Sequence, residues 1–433
     1  IREELTQWIK EKFLNLKIDQ SIVTHDHYYN SSCIESIKVV DVSGEPSPHG
    51  IFQLKDVILD VQAYRMHQND QSEPLVADEP EDGNSQSTSV QILPHRSCME
   101  TWDSLVFEDL VHKQMLRYLT RMISLTKNPK MNLSAINWNR IVLFHGAPGC
   151  GKSSLCRALA HKLTIRLGKL FAQGKLIEVH SQCLISKWFG ESGRLVAKLF
   201  EQIEEVARED ESTLVCVLID EVESIAGRRE RSVAGNEAVD SLRATNQLLT
   251  ALDRLKTRTN ILIMCTSNIV SALDRAFLDR VDDIQHIKSP SKNVAYEIFR
   301  SCLTELVRCG IFTPDASSTT ASPTSLSSDQ SEWELVQGMS LARLEEVRME
   351  IWNQPVPPAY AHPSKRLWEI AQKCEGWSGR TLRRLPIRAL AKYTYGDCSI
   401  DDALDAMAML VDERMEESDM GTVADAPAME NSG

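Results

Sequence analysis

The chain has no apolar run long enough to span a bilayer, so no membrane-crossing helix is expected. No signal-peptide pattern opens it, and it begins at Ile1 rather than methionine, as a trimmed or partial chain would. Basic charge is scarce: 48 Lys and Arg stand against 61 Asp and Glu, a net charge of −13. Broad attachment to nucleic acid needs a cationic surface, so this balance argues against it while leaving room for a local basic patch or a nucleotide site. The 11 cysteines are scattered and none makes a C-x-x-C pair; reduced thiols in a cytosolic or nuclear protein account for them best. No internal repeat is visible. What remains is a globular composition, 433 residues with 42% apolar, enough for two or three domains with ample core.

The most informative stretch is I-V-L-F-H-G-A-P-G-C-G-K-S-S, residues 141–154. Ile141 to His145 reads as a buried strand, G-x-x-x-x-G-K-S follows, and L-C-R-A-L-A-H-K-L reads as a helix. Strand, glycine-rich turn and helix form the context a phosphate-binding loop requires. Gly146, Ala147, Pro148, Gly149, Cys150, Gly151, Lys152, Ser153 and Ser154 are the candidate nucleotide contacts. Glycines let backbone N–H groups curl around an anion at the positive end of the helix. Lys152 reaches the outer phosphates, and the Ser153 hydroxyl is a ligand for Mg²⁺. The plainer alternative is a glycine turn that merely joins a strand to a helix.

Four further patterns follow in order. V-C-V-L-I-D-E ends a continuous apolar strand in Asp220, placed to hold Mg²⁺ through its water shell, and Glu221, placed to activate a water as general base. Two solvated acids at a strand end are the alternative. C-T-S-N puts Asn268 at another strand end, where an amide positions water or phosphate; by itself it reads as a turn. S-K-W-F-G-E-S-G offers Lys187, Trp188 and Phe189 on a polar loop, an aromatic grip on a partner chain or a pair folded beneath the loop. Arg275, Arg280 and Arg380 are candidates to stabilise phosphoryl charge, one of them from a neighbouring subunit, against the ordinary reading of solvated surface arginines.

The chain divides by composition. Residues 1–95 combine an amphipathic helix in I-R-E-E-L-T-Q-W-I-K-E-K-F with half-buried strands, a small α+β domain, then an acidic linker at about 68–92. His25 and His27 form an H-x-H pair that reads as solvated loop rather than metal site. W-D-S-L-V-F-E-D-L-V-H-K-Q-M-L-R-Y-L reads as helical. Residues 96–290 alternate strand and helix, with strands expected at 141–145, 176–180, 214–219, 261–266 and 283–287. Continuous apolar strands alternating with helices make a five-stranded parallel sheet covered on both faces, an α/β domain. Residues 291–415 are mostly helical, interrupted by a serine- and threonine-rich insertion at about 313–331, read as disordered, and by Pro355, Pro357, Pro358 and Pro363. Residues 416–433 read as a polar, acidic tail.

With these motifs in order the sequence resembles an AAA+ ATPase. W-D-S-L-V-F, N-R-I-V-L-F-H-G, L-I-S-K-W-F-G-E-S-G, L-I-D-E-V-E-S and W-S-G-R-T-L-R-R-L-P resemble the pachytene checkpoint protein 2 family, over about 95–311 and 367–412. The resemblance implies ATP and Mg²⁺, a homohexamer with a site at each subunit boundary, and a helical lid. It also implies remodelling of HORMA-domain proteins from closed to open form with a HORMA-type adaptor, in spindle checkpoint signalling and at meiotic chromosome axes, in nucleus and cytoplasm. Neither a membrane nor direct nucleic acid is implied. By the same resemblance Gly149, Gly151, Lys152 and Ser153 bind phosphate and Mg²⁺, Asp220 is the Mg²⁺ residue, Glu221 the base and Asn268 the first sensor. Arg280 is the finger reaching the neighbouring site, Arg380 the second sensor on the lid, and Trp188 with Phe189 the substrate-pulling pore loop. The family usually has Pro, Thr and Thr where Ala147, Cys150 and Ser153 stand, and Cys150 at a helix start is expected to be oxidisable. Two other readings remain, a nucleic-acid AAA+ motor or loader and an ATP-binding scaffold without turnover.

Overall fold

A computed structural model describes residues 2–17, 20–22, 34–40, 51–68, 88–128, 130, 138–181, 192–227, 236–312, 341, 363–396 and 398–424. The H-x-H pair, the Lys187–Phe189 loop and the serine- and threonine-rich insertion lie outside the described residues.

Helix α1 (Arg2–Lys12) buries Leu5 and Ile9, the apolar stripe of its amphipathic pattern. Strands β1 (Asn15–Lys17), β2 (Ser21–Ile22), β3 (Ile37–Lys38) and β4 (Ile51–Gln53) pair antiparallel as β1 with β4 and β2 with β3. Ile9, Leu16, Ile22 and Leu54 form the small core of this α+β unit. The strands are shorter than the sequence alternation suggests, because Leu54–Asp56 turns into a 3₁₀ helix. The unit meets the rest of the chain through polar contacts. Arg2 Nη2 donates to the Gly168 carbonyl at 3.1 Å, and Lys169 pairs with Asp60 at 2.6 Å.

Strands β5 (Thr88–Leu93), β6 (Ile141–His145), β7 (Gln173–His180), β8 (Thr213–Asp220), β9 (Ile261–Ser267) and β10 (Asp283–His286) form one six-stranded sheet in the order β10-β6-β9-β8-β7-β5. The five expected strands are present and parallel. The sixth, β5, runs antiparallel to β7, and it corrects the linker, which cannot extend through residue 92. T-S-V-Q-I-L is β-prone, and Thr88 and Leu93 are buried, which offsets the polar composition just before it.

Helices α2 (Thr101–Ser104), α3 (Val111–Thr126) and α4 (Lys152–Arg166) cover one face of the sheet; α5 (Ser192–Glu209) and α6 (Asn236–Leu255) cover the other. Side chains alternate across a strand, so Val142 and Phe144 pack against α3 and α4 while Ile141 and Leu143 pack towards α5 and α6. The single helical stretch expected from Trp102 onward is broken: Leu105 to Phe107 is non-helical. The break lets Leu105 and Phe107 reach the phosphate loop and Val106 pack on the C-terminal helices.

A short helix α7 (Arg275–Leu278) precedes β10. Helices α8 (Lys292–Arg308), α9 (Pro363–Lys373), α10 (Gly379–Tyr393) and α11 (Ile400–Ala424) then enclose a separate core around Tyr296, Phe299, Leu367, Leu382, Leu404 and Met407. Pro363 opens α9, where a missing N–H costs nothing. Helix α11 continues to Ala424, into the stretch read as a polar, acidic tail. Among the described residues no helix is long and apolar enough to cross a membrane.

Candidate functional site

The site is built where β6, β7, β8 and β9 end side by side. In register, Phe144 of β6 faces Thr266 of β9, and His180 of β7 faces Asp220 of β8. The loop leaving β6 takes backbone conformations that favour glycine. Gly149 has φ +76° and Gly151, capping α4, has φ +99°. A Cβ on Gly146 would lie 2.1 Å from the Ile287 carbonyl oxygen, so any larger residue there displaces backbone. Ala147 and Pro148 are exposed at the crown, while Ser153 and Ser154 lie in the first turn of α4.

Lys152 is 7% exposed, and its ammonium donates to Gly146 O at 2.8 Å, Ala147 O at 2.9 Å and Asn268 Oδ1 at 2.8 Å. A buried cation so held presents positive charge to the loop without a fixed carboxylate to cancel it. Ser153 Oγ donates to Asp220 Oδ1 at 2.7 Å. Glu221, the next residue, is left-handed at φ 54°. Glu223 Oε1 accepts the Asn268 backbone N–H at 2.9 Å, tying the end of β9 to the acidic turn. Thus Lys152, Ser153, Asp220, Glu221 and Asn268 converge, as their spacing suggests.

The C-terminal helices rest on this loop. Arg380 N donates to Gly149 O at 3.3 Å, and Ser378 Oγ caps α10 by accepting Thr381 N at 3.2 Å. The Arg380 side chain is exposed and makes no hydrogen bond or ion pair among the described residues. A cleft beside the loop is lined by apolar Val106, Phe107, Ile287 and Val294 together with polar Glu108, Asp109, His286 and Lys288. Sequence reasoning missed this wall, although L-V-F before the nucleotide strand is an apolar signal with no helical partner.

One expectation changes. Cys150 is 7% exposed, and burial pushes its thiol up despite Lys152 nearby, opposite to the lowering expected at a helix start. Arg280, expected to serve a neighbouring site, is not at its own chain's loop. It lies before β10, near the amino end of β6, where its guanidinium forks onto Asp253 at 2.9 and 2.8 Å. Arg275 is exposed on α7. The Lys187–Trp188–Phe189 loop lies outside the described residues.

The donors present fit a nucleotide with Mg²⁺. Glycines with positive φ open the cradle, Lys152 and Arg380 supply cationic charge, and the Ser153 hydroxyl beside the Asp220 carboxylate is an oxygen pair of the kind Mg²⁺ takes. Fold and site together define an AAA ATPase domain, and residues 142–289 match the family described as ATPase family associated with various cellular activities (AAA). Residues 291–415 match the TRIP13-like AAA+ ATPase lid C-terminal domain and residues 1–69 the TRIP13 N-terminal domain.

The mouse pachytene checkpoint protein 2 homolog is 36% identical over 394 residues, 90% of this chain and 84% of that protein. The human homolog is 35% identical over 401 residues, 92% of this chain and 86% of that protein. The chain belongs to the pachytene checkpoint protein 2 family. Against the Arabidopsis thaliana homolog, 41% identical over 72% of this chain, it spans 62% of the relative's length. The structure of C. elegans PCH-2 superposes with a TM-score of 0.65 at 28% identity, covering 96% of this chain and 94% of that one. The structure described as an E. coli MS115-1 HORMA:CdnC:Trip13 complex shares the fold at a TM-score of 0.50 and 18% identity, covering 74% and 94%.

Proposed function

We propose that this chain hydrolyses ATP to convert HORMA-domain proteins from a closed, partner-bound form to an open one. It works as a homohexamer with a HORMA-type adaptor, in nucleus and cytoplasm, serving spindle checkpoint signalling and meiotic chromosome axes. The observation that carries the reading is the convergence of Lys152, Ser153, Asp220, Glu221 and Asn268 at the carboxyl ends of adjacent parallel strands. Family membership supports the substrate class, and a HORMA protein accompanies Trip13 in the E. coli complex.

Lys152 and the loop N–H groups hold the phosphates, and Arg380 adds charge from the lid side. Ser153 and Asp220 would hold Mg²⁺, which neutralises developing phosphate charge when bound. Glu221 accepts the proton of the attacking water, and Asn268 orients that water against the terminal phosphate. Arg280 sits at the opposite end of its own sheet, as suits a group serving a neighbouring subunit. Trp188 and Phe189 grip substrate in the pore.

The test is ATP turnover by the purified chain and by Glu221→Gln, with and without a HORMA protein and its adaptor. Glu221→Gln is expected to bind ATP and assemble, with turnover down by about 100-fold or more. Full turnover by that variant removes Glu221 as base. Turnover in the parent chain that ignores the HORMA protein removes the substrate class. Trp188→Ala is expected to lose remodelling while still binding nucleotide, and unchanged remodelling removes the pore-loop role.

A further inference from the structure

Glu221 is one of two non-glycine residues with positive φ among the described residues, at φ 54° and ψ 52°. A side chain in this left-handed region is strained, and such strain persists only where the surroundings hold it. The peptide unit leading into Glu221 is held at both ends. The Asp220 carbonyl accepts Ser181 Oγ at 2.5 Å, from the end of β7. The Glu221 N–H donates to Thr266 Oγ1 at 3.1 Å, from β9 on the other side. Ser181 and Thr266 are each 1% exposed.

The geometry points to a hydroxyl clamp, Ser181 and Thr266, whose function is to position Glu221 and Asp220 for hydrolysis. Thr266 lies in the C-T-S-N pattern, where only Asn268 was assigned a role, Ser181 lies in no motif, and both act through the acidic turn rather than on the substrate. A hydroxyl has one proton to give. Because the Glu221 amide can only donate, the Thr266 proton goes to Asp220 Oδ1, the second contact the structure gives that hydroxyl. Ser153 Oγ donates to the same Oδ1. Both hydrogen bonds to the Asp220 carboxylate therefore fall on one oxygen, and among the described residues Oδ2 accepts none, leaving it to a hydrated cation. One side chain thus sets the carboxylate on the Mg²⁺ side and the backbone of the base together. The orientation of these two consecutive residues then depends on Thr266.

This inference rests on the reading of Asp220 and Glu221 as the hydrolytic pair, so Glu221→Gln is measured alongside. Thr266→Val keeps the shape and removes both hydrogen bonds; Thr266→Ser keeps the hydroxyl; Ser181→Ala releases the other end. The full chain is assayed for kcat, for Mg²⁺ dependence of turnover, and for binding of N-methylanthraniloyl-ADP without Mg²⁺. Thr266→Val is expected to lower kcat by about 10- to 100-fold and raise the half-saturating Mg²⁺ concentration, with Mg²⁺-free binding changed less than about 3-fold. Thr266→Ser is expected to recover turnover to within about 3-fold of the parent, and Ser181→Ala to lower kcat about 10-fold without changing nucleotide binding.

Parent-like kcat and Mg²⁺ dependence in Thr266→Val overturn the clamp. So does a Thr266→Ser variant as slow as Thr266→Val, since the methyl group rather than the hydroxyl would then matter. If Thr266→Val does not fold, Ser181→Ala decides: parent-like turnover overturns the clamp, and a selective kcat loss supports it. Parent-like turnover by Glu221→Gln overturns the hydrolytic reading itself. An inactive Glu221→Gln with parent-like clamp variants overturns the clamp alone.

Discussion

Arg280 and Asp253 form a two-pronged pair, yet the side chains are 28% and 56% exposed. Pairs this accessible contribute at most about 1 kcal/mol, so releasing the guanidinium from Asp253 costs little. Asn139 Nδ2 donates to the Arg280 carbonyl at 2.8 Å, and the Asp282 carboxylate accepts the N–H groups of Asn139 and Ile141 at 3.1 and 2.9 Å, so the backbone here is held independently of the Arg280 side chain. Arg280→Ala is expected to lower turnover by about 10³-fold in the assembled protein and leave nucleotide binding to each subunit intact. Asp253→Asn, which weakens only the holding pair, is expected to change turnover by less than about 3-fold. A concentration series of ATPase rates separates these outcomes, and an Arg280→Ala variant as active as the parent removes the finger.

At the scale of elements, the sheet is pinned by buried polar groups whose loss is costly. Arg140, 2% exposed with φ 60°, donates to the carbonyls of Ile261, Lys256 and Arg258 at 3.2, 2.7 and 2.8 Å. Arg140→Met leaves these acceptors unpaired where β6 and β9 begin, and is expected to cost about 3 kcal/mol or more, read as a lower urea midpoint. Acid loosens a different joint. His161 on α4 accepts the His95 N–H at 3.4 Å, and burial, with Lys162 and His95 adding, holds it down at about 4. Burial, with Lys113 adding, likewise holds His112 on α3 at about 4. Both start from 6.5, so the unfolded chain takes up protons first. Their neutral burial costs nothing extra above about pH 6.5, and stability falls as pH drops towards 4, by roughly 3 kcal/mol for each residue. Urea midpoints at pH 7.5 and pH 5 check this, and equal midpoints contradict it.

For the whole molecule, the nucleotide site joins two cores. The sheet supplies the loop and the acids, and the C-terminal helices touch the loop through Arg380 N and Gly149 O. A ligand that binds the folded site adds its binding free energy to stability, about 2.7 kcal/mol at 100 times Kd. ATP with Mg²⁺ is expected to raise the thermal midpoint, and Lys152→Ala to abolish the rise; an equal rise in that variant would separate Lys152 from the phosphates.

The glycine loop with Lys152 and Ser153, the D-E strand end and the five parallel strands were legible because each is local: a short run of residues sets strand, turn and helix. The parity of Ile141 and Leu143 against Val142 and Phe144 likewise follows from the two-residue repeat of a strand. Only tertiary structure decided the rest. β5 is a strand because β7 offers it an open edge, not because the polar stretch before it announces one. Arg280 is at the far end of the sheet because β10 begins there, a fact of strand order rather than spacing. Ser181 and Thr266 acquire meaning only once β7, β8 and β9 lie side by side. Hydrogen bonds between chain positions this far apart have no signature in either local sequence, since a hydroxyl that clamps a peptide and one that is merely buried are the same residue until the fold supplies the partner.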